Sequence, residues 1–220
     1  MTGIELDFYL SLGYFRMQQQ VFTCQYVVFD DTLCPVHWLR LVLPELQYGP
    51  RQRDMLKRNR RFSVRVVPFR LNDELEALYA RYLTGIDFDA PVSVADCLLG
   101  TATYNVFDTR VVEVRDNDRL IAAGVFDTGQ YAIAGIMNFY DPDYRKQSLG
   151  KFLMLQKIEY ARQQHKLFYY PGYIVSGNPK FDYKLFVDEA ATYVFDDNTG
   201  EWLPFSWELI RSMAAGKLTD

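Results

Sequence analysis

The residues best suited to chemistry crowd into one short run. "YPGYIVSGNPKFDYK" (170–184) carries Tyr170, Tyr173, Lys180, Asp182, Tyr183 and Lys184. No Ser/His/Asp or Cys/His grouping accompanies them. Lysines and phenols offer donors and positive charge, which suits stabilising an oxyanion or gripping an anionic group. The plainer reading of Lys180 and Lys184 is a solvated turn with an (i, i+4) lysine pair. Tyr170 and Tyr173 lie three apart on an expected strand, so they should face opposite sides, one of them in the core.

Metal chemistry has little support. Cys24, Cys34 and His37 read C-x9-C-x2-H without a clear fourth ligand, whereas structural zinc takes four in tighter pairs. Free thiols, an ordinary histidine and no metal are expected. His165 should meet the C-terminal dipole of a helix. With Cys97 the cysteines number three, which cannot pair completely, so a reducing cytoplasm is the expected location. The start "MTGIELDFYL" has no basic end ahead of an apolar core, and no run of about 18 apolar residues occurs. No membrane association is expected.

The elements that must hold the run can be read from periodicity. At 220 residues, 49% hydrophobic and 16% aromatic, the chain can bury a real core, and disorder is excluded. Short-helix signals cover 4–12, and strands are expected at 21–29, 36–43 and 61–69. Residues 72–83 read as a helix capped by Asn72. The stretch 84–103, with Gly85, Pro91 and Gly100, reads as loose and as the candidate boundary. Strands at 107–115, 119–127 and 131–140 follow, joined by hairpin-like "DND" and "TGQ". A helix over 148–164, started by Ser148, and a strand at 167–175 complete a mixed α/β order. Apolar residues on several faces of that helix predict burial on several sides.

A strand feeding a helix N-terminus is how the GNAT acyltransferase fold builds an anion site. Gln147-Ser148-Leu149-Gly150-Lys151-Phe152 keeps the glutamine and first glycine of the GNAT loop Q/R-x-x-G-x-G/A. It sets Phe152 at the last small position, where a ring should obstruct a CoA pyrophosphate. A second charge feature lies upstream. Arg51, Arg53, Lys57, Arg58, Arg60 and Arg61 stand against Asp54 alone, a basic island in a chain of net charge −4. Such an island is either a solvated helix face or a focused phosphate contact.

Together, "FYDP" (139–142), "SLG" (148–150), "IEYAR" (158–162) and "YPGYIVSGNPKFDYK" resemble the arginyl- and leucyl-tRNA–protein transferases, a family with a GNAT-like fold. "LGYFRM" (12–17), "CPVHWLRL" (34–41) and "GPRQRDMLKRNRRFSV" (49–64) extend the resemblance over roughly 8–186. It departs in two places. Only Cys24 and Cys34 represent the family's N-terminal cysteine cluster, and "RYLTGIDFD" stands where an arginine–histidine pair is usual.

The resemblance implies a GNAT-like mixed sheet with flanking helices, in two interlocked halves. Residues 1–100 would hold the degenerate cysteine motif and basic segment, and 101–220 the transferase half. It implies transfer of Arg or Leu from aminoacyl-tRNA to a protein or peptide N-terminus, an acidic one, with no cofactor. The implied catalytic residues are Lys180, Tyr183 and Tyr173. Ser148, Gly150, Tyr170 and Lys184 would bind substrate, and Arg51, Arg53, Lys57, Arg58 and Arg60 tRNA. An acyl-CoA enzyme and a non-catalytic tRNA- or peptide-binding module are the rival readings. Oligomeric state is left open.

Overall fold

The computed structural model describes residues 1–29 and 31–217. In chain order the elements are α1 (Gly3–Ser11), β1 (Phe15–Met17), β2 (Gln20–Phe22), β3 (Tyr26–Phe29), β4 (Thr32–Val42) and α2 (Pro50–Arg58). Then come β5 (Ser63–Pro68), α3 (Asp73–Leu83), α4 (Val94–Leu98), β6 (Thr109–Asp116), β7 (Arg119–Thr128) and β8 (Ala132–Tyr140). After a 3-10 segment at Pro142–Gln147 follow α5 (Leu149–Gln163) and β9 (Phe168–Val175). A second 3-10 segment, Pro179–Phe186, leads to β10 (Thr192–Asp196), β11 (Glu201–Pro204) and α6 (Trp207–Lys217).

Among the described residues nine strands join in one mixed sheet, ordered β11-β10-β4-β9-β8-β7-β6-β5 with β3 beside β4. Only β8 and β9 run parallel among these pairs, and α5 makes the crossover between them. Hairpins, then a helix, then a parallel strand is the GNAT-like order expected. β4 inserts between β9 and β10, and β5 pairs with β6 at the far edge. The first hundred residues thus enter the sheet at two separate places.

Helices cover both faces. Leu149, Phe152, Leu153, Leu155, Ile158 and Ala161 of α5 pack on β7 and β8 with Ile121, Phe126 and Ile133. On the other face Leu75, Leu78 and Tyr79 of α3 meet Ala123, Val125 and Phe139. That is why β7 is an almost unbroken apolar run rather than an alternating one. A third cluster, around Phe15, Trp38 and Tyr170, receives Leu6 and Leu10 of α1.

Three local expectations need correction. The apolar run 21–29 is broken into β2 and β3. The stretch 84–103 contains α4, whose first N–H groups, from Val94 and Ala95, donate to the Glu76 carboxylate at 3.0 and 2.9 Å. Ser148 precedes α5 in a left-handed conformation (φ 53°, ψ 45°), and its hydroxyl makes no capping bond. Its position suits a helix start, but that backbone turns the side chain away from the first-turn N–H groups.

Candidate active site

The site grows from two irregularities in neighbouring strands. β8 and β9 are paired over Ala132↔Phe168, Ile133↔Tyr169 and Ala134↔Tyr170, and the ladder stops there. Just beyond, β8 carries one extra residue relative to β7, because Val125 matches Met137 while Phe126 matches Gly135. β9 likewise gains one against β4, where Leu41 matches Tyr169 but Leu39 matches Gly172. Extra residues of this kind bend a strand and break its pairing, so the two strands part. Burial lapses along Gly135–Asn138, between the buried Ala134 and Phe139 of β8. Gly172 (φ +98°) makes the turn in β9, close enough that an added Cβ would sit 3.4 Å from Lys184 Cε.

A cavity of about 250 Å³ fills the gap. Its walls are Gly135–Asn138, Pro171–Tyr173 and an aromatic train from the N-terminal elements. Phe15 stacks on Trp38 at 3.9 Å, and Trp38 meets Tyr173 edge-on at 4.9 Å. Tyr173 then stacks on Phe181 at 5.5 Å. Tyr170 also touches Phe15, at 6.0 Å, so the bulge sets both tyrosines beside one cluster, where strict alternation would have put them on opposite faces. Tyr170 is core at 2% exposure, and Tyr173 borders the cavity.

The cavity opens into a cleft of about 1810 Å³. Asn138, Tyr173, Phe181, Tyr183 and Lys184 wall both. Lys184 is the most informative of these. It is 8% exposed, and its Nζ sits 4.7 Å from the Phe181 ring centre, 4.8 Å from Tyr183 and 5.6 Å from Tyr173. Burial pushes this ammonium down to about 7, with Asp182 opposing the shift. An aromatic cage holds a cation through the ring faces. The solvated-turn reading therefore fails for Lys184. It holds for Lys180, whose exposed ammonium lies 3.6 Å from Asp87. Tyr183 is 43% exposed at the cleft.

Ser148 and Gly150 line the cleft together with Arg145 and Lys151. Phe152 does not obstruct this mouth: it is 2% exposed and turned into the core. Its apolar neighbours on the sheet draw the ring inward, which removes the expected block to a pyrophosphate. The basic island stands close by. Arg51, Arg53, Lys57, Arg58 and Arg60 are exposed on or just after α2. Asn59, which ends that helix, donates from its buried side chain to Gln147 O at 3.1 Å. This bond ties the island to the residue before Ser148.

Sequence reasoning missed four groups. Lys157 of α5 and Arg16 of β1 both line the cavity. Arg16 is buried against Asp127 (2.8 Å), Thr109 and Leu98 O. Asn138 has a buried Oδ1 without a hydrogen-bond partner, and Arg145 was not singled out. A polar residue inside an apolar pattern, as in "YAIAGIMNFY", was the available signal for Asn138. The structure does not gather Cys24, Cys34 and His37 into one ligand group. Cys24 and Cys34 are free, and His37, pushed down to about 4 by burial and then by Lys217, pairs with Ser176 Oγ at 2.9 Å. Among the described residues no group of three or more His, Cys, Asp or Glu side chains could hold a metal ion. His165 is the left-handed residue after α5, its N–H donating to Arg162 O at 3.0 Å.

Residues 74–190, a little over half of the chain, match the family model described as "Arginine-tRNA-protein transferase, C terminus". An aspartate/glutamate leucyltransferase of Stenotrophomonas maltophilia (strain R551-3) is 32% identical over 156 aligned positions, covering 64% of this chain and 61% of that protein. One from Xanthomonas axonopodis pv. citri (strain 306) is 33% identical over 145, covering 60% and 56%. The chain thus spans about three-fifths of the length of these curated relatives. Among solved structures, the C-terminal domain of a putative lysylphosphatidylglycerol synthetase from Agrobacterium fabrum aligns with a TM-score of 0.48 at 12% identity, over 63% of this chain and 48% of that one.

Proposed function

This chain belongs to the arginyl-tRNA–protein transferase family, and from that premise we propose that it moves an amino acid from tRNA to the N-terminal amine of a protein. The observation that carries the reading is the passage from an aromatic-walled cavity, past the caged Lys184, into a basic cleft. The reaction is aminolysis of an activated ester. The acceptor nitrogen forms a C–N bond with the aminoacyl carbonyl carbon, the bond to the ribose oxygen breaks, and the amine proton ends on that oxygen. An α-amine with a pKa near ~8 is partly neutral at physiological pH, so positioning and oxyanion stabilisation carry most of the rate. A triad is not required.

In this reading Lys184 faces the carbonyl oxygen as negative charge develops, and the Tyr173 and Tyr183 hydroxyls lie within the same wall. The cavity takes the amino-acid side chain. Aromatic walls over a base containing Arg16 and Lys157 favour an apolar group such as leucyl over a cationic arginyl one. Such a preference agrees with the names of the relatives. Lys180, Arg145 and Lys151 supply positive charge for an acidic N-terminal residue or the tRNA 3′ end. α2 extends that charge for the acceptor stem, with Arg51, Arg53, Lys57, Arg58 and Arg60 as phosphate contacts. Among the described residues no helix is long and apolar enough to cross a membrane, and charged tRNA as donor makes the cytoplasm the working compartment.

The test is a panel of charged tRNAs incubated with peptides beginning Asp, Glu or Cys, read by mass spectrometry. The expected product is an acidic-start peptide lengthened by one leucyl residue. If no charged tRNA lengthens any peptide, the transferase reading fails.

A further inference from the structure

One residue of α5 contradicts the character of its helix face. Lys157 is 1% exposed among Leu153, Met154, Ile158 and Ala161. Its Nζ donates to Val125 O at 2.7 Å and Met137 O at 3.2 Å. Val125 and Met137 are the last matched pair before β8 takes its extra residue. Between that pair and Ala134, where the ladder to β9 ends, β8 carries its extra residue against β7 and has no partner on its β9 side. Backbone groups in such a segment need other partners when buried, and Lys157 supplies two bonds at once.

The surroundings are fitted to this lysine. A Cβ on Gly124 would lie 3.0 Å from Lys157 Cε and 3.0 Å from Asn138 Oδ1, so a glycine there leaves the side chain its path. Burying an ammonium is unfavourable. Burial indeed pushes Lys157 down to about 7, against the pull of Asp127. That carboxylate is fully buried, is shared with Arg16 and keeps Oδ2 without a hydrogen-bond partner. An apolar side chain would fill the same space without that penalty, so what the lysine adds is direction.

We propose that Lys157 is a positioning residue for acyl transfer: by holding the Val125 and Met137 carbonyls it fixes the bulged segment Gly135–Asn138, the cavity wall along which the aminoacyl ester lies. It acts through the backbone and is not a catalytic residue. The proposal rests on the transferase reading above. Lys157→Met keeps the length and removes the donors. Displacing reacting groups by about 1 Å can cost about 100-fold. The expected result is a single-turnover transfer rate lower by about that factor, with affinity for charged tRNA within about twofold of the parent. Amide hydrogen exchange should accelerate at 135–138 and not along β6.

A rate within twofold of the parent overturns the proposal, and so does a rate loss matched by an equal loss of tRNA affinity or of folded protein. Lys157→Gln, which keeps an N–H₂ donor, should transfer at an intermediate rate. It carries the same comparison if the methionine variant does not fold, and equality with the parent sinks the idea. An inactive parent would mean that the transferase reading has failed. Unchanged exchange at 135–138 would mean that this inference has.

Discussion

The inner cavity and the outer cleft share five wall residues yet follow opposite physics. Inside, much of the wall is aromatic, the ammonium groups of Lys157 and Lys184 are buried, and each charge has a fixed neighbourhood. Outside, Arg145, Lys180 and the basic residues of α2 are exposed. A charge in a dry site acts strongly on one oxygen, whereas solvated charges act weakly over about a Debye length. The division suits an enzyme that must gather a polyanion and then act on one carbonyl. On the proposed function, capture would belong to the cleft and chemistry to the cavity.

The largest effect is expected from Lys184→Met. It should lower single-turnover transfer by about 10²–10³, the usual loss for one oxyanion donor. Melting temperature at pH 7 should stay equal or rise, because a costly buried charge has been removed. A modest rate loss would place the chemistry elsewhere. On the outer side, Lys57→Glu with Arg58→Glu should weaken tRNA binding and flatten its salt dependence. The log–log slope should drop by about 0.9 for each phosphate that is no longer neutralised. Transfer at saturating tRNA should be unchanged. Filter binding from low to high salt checks the first point, and an unaltered slope would return α2 to the status of a solvated face.

How much of this was legible beforehand depends on distance along the chain. Long periodic elements such as α3, α5 and β7 followed from their apolar spacing, because each buries a continuous stripe. Lys184 could be singled out as a chemical type, but its cage could not, since Tyr173 comes from β9 and Phe181 from a 3-10 segment. Lys157 had no signal at all: a lysine within a multi-faced apolar helix reads as a solvated position until the sheet beneath it is known. Phe152 misled because its neighbours in sequence form a phosphate-loop pattern while its neighbours in space form the core. Alternation rightly put one of Tyr170 and Tyr173 in the core, which is Tyr170, but its opposite faces were undone at an inserted residue that no local rule announces.

Protonation offers a finer probe of the same contrast. Lys157 and Lys184 are both lowered from 10.5 to about 7 in the folded protein. Between pH 7 and 9 the unfolded chain therefore binds more protons at these two groups, and their contribution to stability rises with pH. Thermal melts across that range should shift upward. In Lys184→Met part of the rise should disappear, and a slope identical to the parent's would deny that the lysine is desolvated. Lys180→Ala is the smallest test. Its exposed ammonium is worth the energy of an exposed ion pair, so transfer should fall by about fivefold or less and stability by less than about 0.5 kcal/mol. A hundredfold loss would move Lys180 to the chemical side of the division.

The cavity exists because two adjacent strands each run one residue long against their outer partners, β8 against β7 and β9 against β4. Its volume is thus written in strand length rather than in side-chain size. Scanning substitutions along the walls would reshape the lining and leave the opening in place. Excising Ile136 alone would restore the count on β8 and leave the extra residue of β9 and its turn at Gly172 in place, so the chamber closes only when both strands are reset.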